Sequence, residues 1–284
     1  MANKISVIIP AFNAERTIER TVRSVLASTI PLDIYVVNDG STDNTQKILE
    51  KLSTHSPYST QLKIINQENN GAYNARLTAL KQITTPYFGF VDADDTIEPT
   101  MFEKMLAFAE ANNLDVVQCG STGGEAYERE GILEDRAAVE REFIKPHLIE
   151  GRGSSFIWNK LYRNQYDFST FVAPPKFTNF DDMIFNFQFF AKVQRMGYMK
   201  EKLYHYAATE GSVTHNYGER QFNDLCACAK LRRQFGAKNL RWPIINVRSA
   251  AIVVLRSGMT FGEKVGWLFK LIKFLAVEIG RTCR

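Results

Sequence analysis

No run of about 18 uncharged apolar residues occurs in this 284-residue chain, so no membrane-crossing helix is expected. The apolar start Ile5-Ser-Val-Ile-Ile-Pro10 is too short for a signal peptide, and Asn13 follows almost at once, which predicts a cytoplasmic protein. Cysteine is scarce. The four residues are Cys119, Cys226, Cys228 and Cys283, and the Cys226-Ala-Cys228 pair lacks the two-residue spacing of a common zinc or redox motif. They read as buried or idle thiols in a reducing compartment. A dominant charge sign is missing too: 35 Lys and Arg face 31 Asp and Glu, and a net +4 over this length is poor evidence for nucleic acid, whose binders normally show a concentrated basic stripe, so nucleic acid is not an expected partner. There is no internal repeat and no low-complexity tract. With 20 Phe, 11 Tyr and 45% hydrophobic residues, disorder is excluded for the chain as a whole. The length suits one large α/β domain, or one domain with an appendage.

What the chain does contain is a regular alternation. Residues 5–9, 34–37, 62–65, 87–91 and 115–118 are mostly near-continuous apolar runs, as parallel strands buried on both faces would be. Helical patterns lie between and after them, at 15–27, 43–52, 72–82 and 99–111. This order predicts an α/β fold with a mostly parallel central sheet, right-handed crossovers and helices on both faces. Ligands of such sheets bind beyond the carboxyl ends of the strands, so the residues just after each strand carry the functional signal. Residues 120–155 are charged and glycine-containing, and are predicted as loops with a surface helix. An aromatic-rich region at 156–206 and a helical tail to Arg284 follow.

The first strand ends in Pro10-Ala11-Phe12-Asn13 without a GxGxxG turn, which disfavours a dinucleotide-dependent hydride-transfer enzyme. The second ends in Asn38-Asp39-Gly40-Ser41-Thr42-Asp43. There Gly40 makes a turn, and Asp43 with Gln46 has the form of a helix capping box. Asp39 is left over from that explanation, and a carboxylate so placed can accept hydrogen bonds from a nucleobase imide or a ribose. The fourth strand ends in Asp92-Ala93-Asp94-Asp95. Three carboxylates within four residues repel one another. Either a hard divalent cation relieves the repulsion, or the cluster caps the helix beyond Thr96-Ile97-Glu98-Pro99.

The segments Ile5-Ser-Val-Ile-Ile-Pro-Ala-Phe-Asn-Ala-Glu15, Val36-Val-Asn-Asp-Gly-Ser-Thr-Asp43 and Phe90-Val-Asp-Ala-Asp-Asp95 resemble, in order and spacing, the family 2 glycosyltransferases of the GT-A fold. Asn69-Asn-Gly-Ala-Tyr-Asn-Ala-Arg76 resembles the family's NxGxxxAR element, with Leu77 where the family carries a further Asn. The resemblance covers roughly residues 4–215 and weakens after Asp95. It implies that Pro10, Ala11, Phe12 and Asn13 hold the nucleoside with Asp39, which faces the base. Arg76 would lie near the base or the phosphates. Asp92, with Ala93 beside it, would meet ribose or metal, and Asp94 would be the principal ligand of a Mg²⁺ or Mn²⁺ ion bridging the diphosphate. Asp95 would orient Asp94 or face the acceptor sugar.

On the acceptor side, Phe180-Asp181-Asp182-Met183 resembles the family's acidic pair ahead of an apolar helix, which makes Asp182 the catalytic base beside Asp181. The competing explanation is acidic charge favoured at a helix N-terminus. Trp158-Asn-Lys-Leu-Tyr162 resembles an element of bacterial members that extend surface glycans, with Trp158 either stacking on an acceptor sugar or anchoring a subdomain. Tyr204-His-Tyr206 and Gly211-Ser-Val-Thr-His215 resemble the family's closing segment, with His215 a metal or phosphate ligand or merely structural.

Residues 216–284 carry 13 Lys and Arg against 4 Asp and Glu, a net +9, whereas residues 1–215 are net −5. Phe261, Val265, Leu268, Leu271, Ile272, Leu275 and Ile279 recur at helical spacing, with Lys270, Lys273, Arg281 and Arg284 opposite. Such a helix either lies on an anionic membrane or packs its apolar face on the protein. The expected organisation is a GT-A domain at 1–215, split into a nucleotide-sugar half at 1–120 and an acceptor half at 121–215, with a basic helical extension at 216–284. The expected activity is metal-dependent, inverting transfer of a sugar from a nucleotide diphosphate sugar, UDP-linked, to a glycan or lipid-linked acceptor of lipopolysaccharide, capsule or a related surface polysaccharide. The site of action is the cytoplasm or the cytoplasmic face of the inner membrane. The alternatives are a sugar-phosphate nucleotidyltransferase and a non-catalytic glycan-binding protein on the same fold.

Overall fold

A computed structural model describes residues 3–54, 60–123, 129–149, 155–172, 180–207, 219–234, 246–247, 250–251, 254–255 and 259–282. The chain divides into two compact units. The first comprises Met1–Val139, Phe156–Phe177 and Ala191–Thr209, and the second Glu140–Ser155, Thr178–Phe190 and Glu210–Arg284.

The first unit is built on a nine-stranded mixed sheet. The alternating pattern yields β1 (Ile5–Ala11), α1 (Ile18–Leu26), β2 (Asp33–Asp39), α2 (Thr45–Thr54), β3 (Leu62–Gln67), α3 (Ala72–Leu80) and β4 (Tyr87–Phe90). Strands β3, β2, β1 and β4 lie in that order and are parallel. The chain therefore steps outward from β1 to β3 and returns to the other side of β1. The reversal leaves a crevice at the carboxyl ends of β1 and β4. Every residue of β1 and β4 is buried, as their mostly apolar sequences require, and the hydroxyl of Ser6 bonds that of Thr85. Gly89, in the middle of β4, leaves room for the Phe102 ring, which an added Cβ would meet at 2.6 Å.

Beyond Asp95 the predicted pattern is incomplete. The expected strand near 115–118 becomes β6 (Val116–Thr122), and the helix before it is α4 (Met101–Asn112). Four strands were not predicted: β5 (Thr96–Ile97), β7 (Gly131–Leu133), β8 (Lys160–Arg163) and β9 (Met196–His205). β8 enters between β4 and β6, antiparallel to both. β9 pairs parallel with β6 and antiparallel with β5 and β7. The region predicted as loops and a surface helix instead supplies β7, the short α5 (Arg136–Val139) and a π-helical run Glu140–Ile149 that buries Phe143, His147 and Leu148.

The second unit gathers that π-helical run with α6 (Asp181–Phe189), α7 (Glu219–Gln234) and α8 (Phe261–Thr282). α6 is buried from Met183 through Phe189. Phe190, which follows it, stacks on Phe143 with ring centroids 4.3 Å apart. α8 meets α7 through edge-to-face contacts of Phe222 with Trp267 and Phe274, and through an ion pair between Arg233 and Glu278. The single apolar face expected of α8 is in fact two. Leu271 and Phe274 are buried, while Phe261, Val265, Phe269 and Ile272 are exposed. The side chains of Ile279 and Arg281, and residue Arg284, lie outside the described residues.

Candidate active site

The loops leaving β1 and β2 are laced together. Asn13 takes a left-handed backbone (φ 50°), its N–H donates to the Ser41 hydroxyl, and its side-chain oxygen accepts from Thr42 N–H at 2.8 Å. Glu15 accepts from the backbone and side-chain nitrogens of Asn44. Asp43 accepts from the N–H groups of Glu15 and Thr45. The expected capping box does not form: Asp43 bonds the N–H of Thr45, two residues on, rather than that of Gln46. Gln46 accepts from Asn38 and donates to Glu50 rather than closing back on Asp43. Pro10 and Ala11 are buried in β1, whereas Phe12 stands 50% exposed at its end and offers a free ring face.

Asp39 ends β2 with only 2% exposure. One carboxylate oxygen accepts from Gln67 Nε2 at 2.7 Å and Asn70 N–H at 2.8 Å, and the other from Gly71 N–H at 2.8 Å. Asp39 thus organises the Asn69–Gly71 loop that opens α3, leaving roughly one of a carboxylate's four acceptor directions unused. Gly40 makes the arrangement possible. Its φ is +71°, and an added Cβ would lie 2.7 Å from Asn69 N.

From α3, Arg76 donates to Asp92 at 2.7 Å, so the two residues expected at the phosphates and ribose are joined across the end of β4. The Arg76 side chain is almost wholly buried and that of Asp92 partly open. The turn that follows is gripped from several sides. Thr21 of α1 donates to the carbonyls of Ala93 and Asp95, and Arg20 to that of Asp94. Tyr204, buried on β9, accepts from Asp92 N–H and donates to Asp95 at 2.6 Å, while Ala207 N–H takes the other Asp95 oxygen. Asp95 is fully buried. Burial pushes its carboxyl up to about 7, against the opposing effect of the bonds from Tyr204 and Ala207. Of the two expected roles of Asp95, full burial suits orienting Asp94 better than facing a sugar. Asp94 remains half-buried between these anchors.

Trp158 is 3% exposed and sits in an aromatic stack with Phe156, Tyr204 and Tyr206. Such burial favours the anchoring alternative over direct stacking on a sugar. The most exposed ring of that stack is Tyr206, whose hydroxyl is pushed up by burial and by the fields of Asp95, Asp94 and Asp92. Tyr204 and Tyr206 stood in the sequence as Tyr204-His-Tyr206, but without a role. His205 between them joins Thr122 and Glu98, both at 2.7 Å.

Asp181 and Asp182 belong to the second unit and form the first turn of α6. Phe180 before them has φ 68°, a left-handed conformation that bulky residues rarely take and that costs of order 1 kcal/mol. His215 lies outside the described residues.

Among the described residues, no three His, Cys, Asp or Glu side chains form a group able to hold a metal. Asp95 is fully buried, so Asp92 and Asp94 are the carboxylates of this turn with exposed surface. Two carboxylates fit a hard ion such as Mg²⁺, which takes its remaining ligands from substrate phosphates and water. They do not fit a site made by protein alone.

Known proteins share both the sequence pattern and the fold. The uncharacterized glycosyltransferase EpsJ of Bacillus subtilis (strain 168) is 30% identical over 219 residues, covering 74% of this chain. This chain spans 62% of EpsJ's length. The crystal structure of S. aureus TarS 1–349 in complex with UDP-GlcNAc superposes with a TM-score of 0.64 at 19% identity, covering 95% of this chain and 72% of that one. The mannosyltransferase PcManGT from Pyrobaculum calidifontis, in complex with GDP-Man and Mn²⁺, gives 0.61 at 14% identity, covering all of this chain and 88% of that one. These likenesses make the fold GT-A, with a helical C-terminal region. The model of glycosyl transferase family 2 matches residues 6–186, and the chain belongs to that family.

Proposed function

We propose that this chain moves a sugar from a nucleotide diphosphate sugar, UDP-linked, to a glycan or lipid-linked acceptor in the synthesis of lipopolysaccharide, capsule or a related bacterial surface polysaccharide. The transfer is metal-dependent and inverting, and takes place at the cytoplasmic face of the inner membrane. The observation that carries the reading is the Arg76–Asp92 pair beside half-buried Asp94 at the carboxyl end of β4. A fixed guanidinium and two carboxylates within one turn suit a diphosphate and its cation. The nucleotide sugars in the TarS and PcManGT complexes support the donor class.

In this reading the exposed Phe12 ring stacks on the base, and the spare acceptor direction of Asp39 takes a base N–H. Pro10, Ala11 and Asn13 shape that wall. Asp92, with Ala93 beside it, contacts ribose, Asp94 holds Mg²⁺ or Mn²⁺, His215 completes the metal shell or touches a phosphate, and Asp95 fixes the turn. When bound, the cation offsets the charge that builds on the diphosphate as the sugar departs. The acceptor hydroxyl oxygen bonds to the anomeric carbon from the side opposite the diphosphate. The carbon–oxygen bond to the diphosphate breaks with its electrons, and the hydroxyl proton passes to Asp182, with Asp181 beside it. Strain at Phe180, directly before this pair, supports a working role, since such strain gathers at functional sites. Tyr206, backed by Trp158, supplies the acceptor-side stacking face.

Calorimetric titration with a panel of nucleotide sugars, with Mn²⁺ and after chelation, tests the proposal. Binding of a UDP-sugar that disappears with chelator is expected. Equal binding after chelation would overturn the metal assignment. Release of pyrophosphate from a nucleoside triphosphate and a sugar phosphate would establish the nucleotidyltransferase instead.

A further inference from the structure

α8 is packed on one side only. Leu271, Phe274 and Glu278 are buried, whereas Phe261 is 84%, Val265 49%, Phe269 67% and Ile272 65% exposed. The four exposed residues follow one another at spacings of four, four and three, so they form one stripe along a helix of 22 residues. At 100° per residue, Lys264 and Lys273 border the stripe on its two sides, and Lys270 lies next to Lys273. The helix carries Lys264, Lys270, Lys273 and Arg281 against two acids, Glu263 and Glu278; Lys264 also donates to the Leu255 carbonyl, and Lys270 lies over the Trp267 ring. Glu263 is engaged with the N–H and hydroxyl of Thr260 at the helix start, and Glu278 is buried against Arg233.

We propose that the stripe Phe261–Val265–Phe269–Ile272 is the surface by which this protein lies on an anionic lipid bilayer, with Lys264, Lys270 and Lys273 meeting the headgroups. The occupant follows from charge: the stripe is rimmed by cations within a segment of net +9, a pattern that anionic lipid complements. A second copy seated on the same stripe would bring a second row of lysines to the same border, which like charge opposes. Among the described residues no helix is long and apolar enough to cross a membrane, so α8 lies on the surface rather than spanning it. The face differs from the one that periodicity alone suggests, because Leu271 has turned inward. The inference rests on the membrane-surface part of the proposed function and is independent of the transfer chemistry.

Co-sedimentation of the full chain with phosphatidylcholine vesicles, with and without phosphatidylglycerol, tests it. Wild-type protein is expected to sediment with the anionic vesicles only. Phe261→Ser/Phe269→Ser should lower that partitioning by at least about tenfold, because two large apolar side chains leave the interface. Lys270→Gln/Lys273→Gln should lower it by about tenfold, and added salt should mimic that loss. All four positions are exposed, so circular dichroism and UDP-sugar binding should match wild type. Wild-type partitioning retained by the Phe261→Ser/Phe269→Ser variant would overturn the assignment of the face. Wild-type protein that ignores anionic vesicles yet binds donor would overturn the membrane surface while leaving the transfer reading standing. Light scattering that shows a dimer dissolved by Phe269→Ser, without vesicle binding, would make the stripe a contact between copies.

Discussion

At the scale of single residues, chemically identical carboxylates meet different surroundings. Asp39 bonds the loop that opens α3, one oxygen of Asp92 bonds Arg76, and both oxygens of Asp95 are taken by Tyr204 and Ala207. Together with the proposed function, those differences predict separable phenotypes. Asp94→Asn should remove metal-dependent donor binding in calorimetry, whereas Asp182→Asn should bind donor normally and lose transfer by about 10²–10⁴-fold. Transfer at the wild-type rate by Asp182→Asn would refute its role as base. Tyr204→Phe tests the clamp. It strips a donor from buried Asp95 and an acceptor from Asp92 N–H, so urea unfolding should show a loss of about 1–3 kcal/mol.

At the scale of elements, the laced loops after β1 and β2 would shape the proposed donor wall. Gly40→Ala places a Cβ against Asn69 N and demands a positive φ of an L-residue. It should cost at least about 1–2 kcal/mol, measured by urea unfolding, and should weaken donor binding in parallel by displacing the loop that Asp39 holds. Asp43 gives a pH signature. Slight burial raises its carboxyl, but the hydrogen bonds from Thr45 and from Glu15 N–H outweigh that and hold it below the usual value. Its stabilisation is therefore fully present above the unfolded pKa of about 3.9 and is lost as pH falls through the depressed folded value. Asp43→Ala should cost about 1 kcal/mol at pH 7, as loss of a helix cap does. The gap between wild type and variant should close below about pH 4. An undiminished gap at low pH would mean that the charge of Asp43 contributes nothing.

At the scale of the whole molecule, the proposed function makes donor and metal one ligand of the folded state. A UDP-sugar at a hundredfold excess over its dissociation constant should stabilise the protein by about 2.7 kcal/mol, seen as a rise in Tm that chelator abolishes. A rise that survives chelation would separate donor binding from the cation. Much of this molecule was legible in its sequence. The strands β1 to β4, the helices between them and the motifs at their carboxyl ends are written in apolar periodicity and turn chemistry, both of which act over a few neighbouring residues. The GT-A resemblance followed from those motifs together. What only the tertiary structure decided joins residues far apart in the chain. Arg76 meets Asp92, 16 positions on, and Tyr204 reaches Asp92 across 112 positions. The insertion of β8 between β4 and β6, the burial of Trp158 behind Tyr206 and the inward turn of Leu271 on α8 are of the same kind. Local patterns specify that a residue is apolar or charged. Which neighbour it meets depends on how the sheet and helices come together, and that pairing decides which aspartate is buried and which apolar stripe stays open to solvent.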